Sequence, residues 1–135
     1  MPELRKDPIT RRWVIIATER AARPTDFIGK FGEETADRDR CPFCEGREEQ
    51  TPPEIFSVRG DGSQPNAPGW RVRVVSNKYP ALRIEGDTAR TGVGMFTRMD
   101  GVGAHEVIVE TPEHDTHLAL LPEDRIADVI RAYYQ

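Results

Sequence analysis

Short runs of apolar, β-branched residues predict three strands. The first covers residues 13–17 (Trp-Val-Ile-Ile-Ala), which are apolar throughout and therefore predict a buried strand. The second covers residues 71–75, which begin with alternating charged and apolar positions and end before Asn77 and Pro80. The third covers residues 105–110 (His-Glu-Val-Ile-Val-Glu). Together these runs predict a mostly antiparallel sheet.

The C-terminal residues predict an amphipathic helix. Pro122 suits the first helical position, and Glu123 and Asp124 match the positive end of the helix dipole. Four apolar residues then follow at the spacing i, i+3, i+4 and i+7, namely Ile126, Val129, Ile130 and Tyr133. The stripe reaches the end of the sequence without a closing cap, so we expect a helix that is cut rather than finished.

The segments between these elements predict loops. Residues 26–40, 57–69 and 86–103 are rich in charge, glycine or proline and show no periodicity. The 135 residues correspond to one ordinary domain, and no internal repeat is visible. We therefore predict one α+β domain over residues 1–135, with a mostly antiparallel sheet and the C-terminal helix packed on it.

Composition narrows the possible classes of function. A net charge of −4 and a pI of about 5.4 argue against nucleic acid as a partner. No stretch approaches the ~20 apolar residues that span a bilayer, and the first residues lack the apolar core of a signal peptide. We expect a cytoplasmic protein with no membrane partner. With 37% hydrophobic and 31% charged residues, its core should be modest.

Cys41 and Cys44 give the strongest local signal of chemistry. Two thiolates with two residues between them can bind one tetrahedral metal ion, and a cytosolic pair this close is more often a metal site than a disulfide. The sequence offers His105, His114 and His117 as further ligands, although most isolated histidines are ordinary surface or core residues. His114 lies in a turn directly after a predicted strand, which makes it the preferred third ligand.

Two other interpretations of the cysteine pair stay open. Cys-Pro-Phe-Cys is close to the redox motif of glutaredoxins, but Pro52 and Pro53 exclude a long helix after it, and acidic neighbours disfavour a thiolate. A zinc ribbon that binds nucleic acid would need a second Cys-x-x-Cys and a basic face. Neither is present in the sequence.

Two further segments could contact a nucleotide. Arg20 and Arg23 follow the first predicted strand and could bind a phosphate together. Two arginines at this spacing more often lie in a solvated loop without a ligand. Asn77 ends the second predicted strand and could donate to or accept from a ribose or base, but it is equally an ordinary turn residue.

Five segments in order resemble the galactose-1-phosphate uridylyltransferase family of the histidine-triad superfamily. They are Leu4–Pro8 with Trp13–Ile15, Arg20–Pro24, Cys41–Gly46, Val74–Leu82 and His105–His114. The plant ADP-glucose phosphorylase branch is at least as similar. The resemblance implies half of a histidine-triad-like domain with a zinc knuckle, in an intact enzyme that is a homodimer.

The resemblance also implies a reaction in galactose metabolism. A histidine attacks the α-phosphorus of UDP-glucose, glucose 1-phosphate leaves, and a hexose 1-phosphate then accepts the uridylyl group. Zn²⁺ would be held by Cys41, Cys44 and His114, with the fourth ligand outside the sequence. Arg20, Arg23, Asn77 and Lys78 would be the nucleotide-binding residues.

Two departures limit what the resemblance implies. The classical enzyme has Asp where this sequence has Lys78, which leaves UDP-glucose and ADP-glucose both open. The His-x-His-x-Gln motif that carries the nucleophile does not occur, so we expect no catalytic residue in these 135 residues and a chain truncated before that motif. Any iron site would lie in the C-terminal half. The remaining alternatives are an ADP-glucose phosphorylase-like enzyme and a non-catalytic zinc-binding partner module.

Overall fold

The computed structural model describes residues 1–22, 38, 41–60 and 62–135. The chain divides into two compact units, of which the first comprises Met1–Asp26 and Tyr79–His105 and the second Phe27–Lys78 and Glu106–Gln135. Each unit contains one antiparallel sheet, so two sheets replace the single sheet that we predicted. The predicted loop at 26–40 lies, apart from Arg38, outside the described residues.

The described residues form the following strands and helix in chain order: β1 (Glu3–Lys6), β2 (Trp13–Ile16), β3 (Glu54–Arg59), β4 (Trp70–Ser76), β5 (Thr91–Val93), β6 (Phe96–Asp100), β7 (Glu106–Val109) and α1 (Glu123–Tyr133). The predicted fold class is confirmed: an antiparallel protein with one C-terminal helix packed on a sheet. With 11 residues, α1 is too short to cross a bilayer, and no other helix of the described ranges is long and apolar enough to do so.

The sheet of the first unit has the strand order β2–β1–β6–β5. Its register places Leu4 opposite both Ile15 and Met99, so these three side chains share one face. The strand predicted at residues 13–17 is present as β2, one residue shorter, but the prediction that it is buried was wrong. Because β2 is an edge strand, Val14 and Ile15 remain 48% and 46% exposed.

The second unit has the strand order β3–β4–β7, and α1 packs on β3 and β4. Its core contains five small apolar side chains, Val58, Val72, Val74, Val129 and Ala132. The strands predicted at 71–75 and 105–110 are confirmed within one residue at each end. The predicted loop at 57–69 begins too early, because β3 continues to Arg59.

Helix α1 presents a different face to the sheet from the one that we predicted. Of the predicted stripe, Val129 is buried, but Ile130 and Tyr133 are 48% and 55% exposed. Asp128 is buried in their place and forms an ion pair with Arg71, whose Nη2 lies 2.9 Å from its Oδ2. The helix also begins one residue later than predicted, with Pro122 as its N-cap.

A buried guanidinium connects β4 to the segment that precedes β3. Arg73 is 2% exposed, and its Nη1 donates to the Thr51 Oγ1 at 2.7 Å. Its Nε lies 3.4 Å from the Glu54 Oε2, and its Nη2 donates to the Glu48 carbonyl oxygen at 3.4 Å. Glu54 is shared with Arg59, which forms an ion pair with it. The guanidinium therefore lies against oxygen atoms of three residues in this segment, Glu48, Thr51 and Glu54.

We predict that Arg73→Met destabilises the protein strongly. Loss of the guanidinium leaves the buried Glu54 carboxylate and the half-buried Thr51 hydroxyl with fewer partners, and breaking a buried pair on one side costs about 3 kcal/mol or more. Urea unfolding followed by circular dichroism measures the loss. Arg131→Met, at an exposed helix position, is the matched control and should cost about 0.5 kcal/mol. Equal losses in the two variants would contradict the role of the buried network.

Candidate metal centre

The segment that carries the two cysteines is a compact run of turns. The Cys44 N–H donates to the Cys41 carbonyl oxygen at 3.4 Å, and the Arg47 N–H donates to the Cys44 carbonyl oxygen at 3.2 Å. Gly46 has a φ of +87°, a left-handed conformation that glycine adopts without strain. The chain therefore reverses within a few residues, which places both thiols on the same side of the turn. We call residues 41–47 the knuckle.

His114 brings the third ligand to the knuckle. It lies in the turn after β7, and its Nδ1 is 3.1 Å from the Cys44 Sγ. The ligand atoms of Cys41, Cys44 and His114 all lie within 4.8 Å of one another, and they form the only such group of three found in the described residues. A tetrahedral zinc site has ligand-to-ligand distances of about 3.5 to 3.8 Å. The three residues could therefore hold a metal ion after small side-chain shifts.

Two acidic side chains anchor the knuckle to the second sheet. The buried Glu48 carboxylate accepts from the Gly46 N–H at 3.1 Å and from the Trp70 Nε1–H at 2.7 Å, and Trp70 is the first residue of β4. Glu45 accepts from the Gly69 N–H at 2.6 Å. The position of the ligands thus depends on hydrogen bonds to the start of β4. No sequence signal distinguished Glu48 from its exposed neighbours in the acidic run, and sequence analysis missed it.

The surroundings of the thiols favour metal binding over redox chemistry. Burial raises the pKa of Cys44, and the Cys41 thiol raises that pKa further. A redox pair needs a stabilised thiolate at a helix N-terminus, whereas the only helical segment in residues 41–60 is the three-residue 3₁₀ turn Glu48–Gln50. A bound cation deprotonates the thiols that coordinate it, so it overcomes the cost of ionising them in this environment.

The residues predicted to bind a nucleotide are placed as follows. Arg20 is half-buried in the 3₁₀ turn Thr18–Ala22 directly after β2, and it belongs to the first unit. Arg23 lies outside the described residues. Asn77, half-buried, and Lys78, exposed, follow β4 in the second unit. Nucleotide binding by these four residues stays a prediction.

Known proteins resemble the whole chain. ADP-glucose phosphorylase from Arabidopsis thaliana is 40% identical over 135 residues, covering 98% of this chain and 37% of that protein. Galactose-1-phosphate uridylyltransferase from Thermotoga maritima is 25% identical over 134 residues, covering 98% of this chain and 34% of that protein. The chain therefore spans about a third of the length of these relatives. No protein-family model matches it.

Solved structures agree with these relatives. The crystal structure of the Arabidopsis thaliana ADP-glucose phosphorylase with bound ADP-glucose matches with a TM-score of 0.53 at 38% identity, covering 98% of this chain and 36% of that one. A uridylyltransferase structure matches with a TM-score of 0.59 at 25% identity, covering 96% of this chain and 32% of that one.

Fold, site and relatives together define a histidine-triad-like protein related to nucleotidyltransferases. Over nearly its whole length the chain is similar to the galactose-1-phosphate uridylyltransferase family and corresponds to about the N-terminal third of the relatives, with ADP-glucose phosphorylase at 40% identity and galactose-1-phosphate uridylyltransferase at 25%. The resemblance that we inferred from five short segments is thereby confirmed.

We predict that protonation of Glu48 weakens the fold at acid pH. Burial opposes ionisation of Glu48, but hydrogen bonds from Trp70 and Gly46 and the charge of Arg73 outweigh it and lower the pKa below its usual 4.5. A lowered pKa in the folded state stabilises the protein above about pH 4.5, and this stabilisation is lost as the pH falls further.

The test compares urea unfolding of the wild type and Glu48→Gln. At pH 7 the variant should be less stable by about 1 to 3 kcal/mol, because it replaces a charged acceptor of buried hydrogen bonds. At pH 3.5 the difference should shrink as the wild-type carboxylate becomes protonated. Glu49→Gln, at an exposed neighbouring position, is the control, and its free energy of unfolding should match that of the wild type at both pH values. A difference that is constant with pH would refute the prediction.

Proposed function

We propose that the chain forms part of a nucleotidyltransferase that acts on a sugar nucleotide, with ADP-glucose favoured over UDP-glucose. The observation that carries this choice is the identity of 40% with ADP-glucose phosphorylase, against 25% with galactose-1-phosphate uridylyltransferase, over essentially the same residues. Our sequence-based first choice, transfer of a uridylyl group from UDP-glucose to a hexose 1-phosphate, thus becomes the second. Lys78, where the resemblance implies Asp in the classical enzyme, leaves both nucleotides open.

The metal in this proposal is zinc, in a structural role. Thiolates and imidazole are the ligands that zinc prefers, and a structural site normally has four of them. Cys41, Cys44 and His114 supply three, and the fourth would come from outside this chain or from water. When bound, zinc supplies a crosslink between the knuckle and the turn after β7.

The proposed reaction is a double displacement at the α-phosphorus. A histidine nitrogen forms a bond to phosphorus while the bond to the glucose 1-phosphate oxygen breaks, and an oxygen of the acceptor then displaces the histidine. A phosphorylase uses inorganic phosphate as this acceptor. His114 belongs to the metal cluster, and His105 accepts a hydrogen bond from the Ala81 N–H, so we place the nucleophile outside these 135 residues. Arg20, Arg23, Asn77 and Lys78 would contact the nucleotide of a homodimeric enzyme.

We predict that the purified protein binds about one zinc ion through thiolates. His114→Ala should weaken zinc binding by more than the 10- to 100-fold that loss of a supporting group costs, because it removes a direct ligand. His117→Ala is the matched control and should leave the affinity unchanged. Competition with a chromogenic chelator measures both, and substitution by Co²⁺ reports thiolate ligation spectroscopically. Loss of metal in His117→Ala but not in His114→Ala would show that the assigned ligand is wrong.

We predict that the protein binds ADP-glucose more tightly than UDP-glucose. Asn77→Ala should weaken ADP-glucose binding about three- to tenfold, as expected for one lost hydrogen bond of roughly 0.5 to 1.5 kcal/mol. Isothermal titration calorimetry measures the affinities, and Lys6→Ala, in β1, is the control for loss of a residue outside the proposed contacts.

A labelling experiment tests the position of the nucleophile. The 135-residue chain incubated with ADP-glucose labelled at the α-phosphorus should carry no acid-labile label. Stoichiometric label on His105, His114 or His117 would show that the nucleophile lies within these residues. Equal or tighter binding of UDP-glucose would restore the uridylyltransferase as the preferred function.

A further inference from the structure

One carboxylate oxygen connects the knuckle to β4 within the second unit. The Oε1 of Glu48 accepts from the Trp70 Nε1–H at 2.7 Å and from the Gly46 N–H at 3.1 Å. Trp70 begins β4 and pairs with Arg59 of β3, so it belongs to the sheet. Gly46 lies two positions after Cys44, so it belongs to the turn that carries the thiols. A single atom therefore joins the sheet to the metal-binding turn.

Burial makes this attachment hard to replace. Glu48 is 5% exposed and Trp70 is 2% exposed. An indole has one polar hydrogen, so loss of the carboxylate leaves a buried donor with little access to water. The main chain of Glu48 is fixed as well, because its carbonyl oxygen accepts from the Arg73 Nη2 at 3.4 Å. Glu48 is therefore attached to β4 through both its main chain and its side chain.

Glu45 makes a similar attachment in a different environment. Its carboxylate accepts from the Gly69 N–H at 2.6 Å, and Gly69 directly precedes β4. Glu45 is exposed, so water can satisfy its carboxylate when this bond is lost. The knuckle thus has two acidic contacts with the start of β4, and of these two the contact from Glu48 is the one protected from water.

The metal ligands need a firm attachment because a metal site tolerates little displacement. Metal-to-ligand distances in protein sites vary by only about 0.2 Å. The Cys44 carbonyl oxygen accepts from the Arg47 N–H at 3.2 Å, and Gly46 between them has a φ of +87°. Movement of Gly46 would therefore move Cys44 relative to His114, whose Nδ1 lies 3.1 Å from the Cys44 Sγ.

We propose that Glu48 is a positioning residue of the metal centre, which holds the knuckle in its metal-binding conformation through the bond to Trp70. This inference rests on the zinc site of the proposed function and goes beyond it, because it makes zinc affinity depend on a side chain that is not a ligand. Glu48 lies outside the cluster formed by Cys41, Cys44 and His114. Loss of a supporting residue of this kind lowers metal affinity by about 10- to 100-fold.

Four substitutions test the proposal. Glu48→Gln keeps the shape of the side chain but removes its charge, and Trp70→Phe keeps an aromatic ring but removes the Nε1–H donor. Glu45→Gln is the matched control, because it makes the same chemical change at the exposed attachment. Val129→Ala removes volume from the core of the same unit, at a position on α1, and so lowers stability without changing the bonds of Glu48.

Zinc affinity is measured by competition with a chromogenic chelator at neutral pH, after circular dichroism has shown that each variant is folded. Glu48→Gln should weaken zinc binding about tenfold or more. Trp70→Phe should weaken it about three- to tenfold, because the bond to Gly46 stays in place. Glu45→Gln should change the affinity by less than about threefold, and Val129→Ala should match the wild type.

The double variant Glu48→Gln/Trp70→Phe tests whether the two residues act through one bond. Its zinc affinity should fall no further than that of Glu48→Gln alone, because both substitutions remove the same interaction. Losses that multiply in the double variant would show that Glu48 and Trp70 act independently, which contradicts the proposed attachment.

Three further results would overturn the positioning role or its basis. Wild-type affinity in both Glu48→Gln and Trp70→Phe would exclude it. A loss in Val129→Ala equal to that in Glu48→Gln would show that zinc affinity follows the stability of the unit instead. If the wild type binds no zinc, the proposed metal site fails and takes the inference with it. If Glu48→Gln does not fold, the comparison of Trp70→Phe with Glu45→Gln decides.

Discussion

The second unit depends on the charge of Arg73. A guanidinium that is 2% exposed must have its donors satisfied by protein groups, and those groups come from Thr51, from Glu54 and from the Glu48 carbonyl. The apolar core of this unit is small, with three valines from the sheet and two residues from α1. Apolar packing alone is non-directional, so it could not place the segment at residues 48–54 in one position against β4. The buried charge supplies this directional constraint.

The positions of the metal ligands depend on the same strand, β4. The knuckle is connected to β4 through the Glu48 carboxylate and Trp70, and His114 follows β7, which pairs with β4 along four residues. Cys44 and His114 are 70 positions apart in the sequence, yet the positions of both side chains depend on hydrogen bonds to β4. A metal ion that bound here would therefore join groups that the fold has already brought together, and little of its binding free energy would be needed to order them.

How much the sequence could predict depended on whether the determining contacts were local. Some signals are local, and each of these predicted a feature that the structure contains. They are the Cys-x-x-Cys spacing, the apolar runs of β4 and β7, and the N-terminal residues and apolar stripe of α1. Strands β1 and β6 pair with each other from opposite ends of the first unit, and neither has an apolar run of its own. The buried face of α1 was missed for a similar reason. Asp128 is polar by any sequence measure, and it is buried with two ion pairs, one to Arg131 on the same helix and one to Arg71, 57 positions earlier.

The metal cluster and the choice of sugar nucleotide are separate questions. A site made of two thiolates and an imidazole is a structural crosslink in our proposal, so it carries no information about adenine or uracil. ADP-glucose and UDP-glucose differ in the base, because both carry the same diphosphate and the same sugar. On the proposed function, the exposed charge of Lys78 next to the diphosphate would act on both ligands alike and could not discriminate between them. The choice of sugar nucleotide would therefore rest on side chains that can hydrogen-bond to the edge of the base, and among the residues proposed to contact the nucleotide Asn77 is of that type.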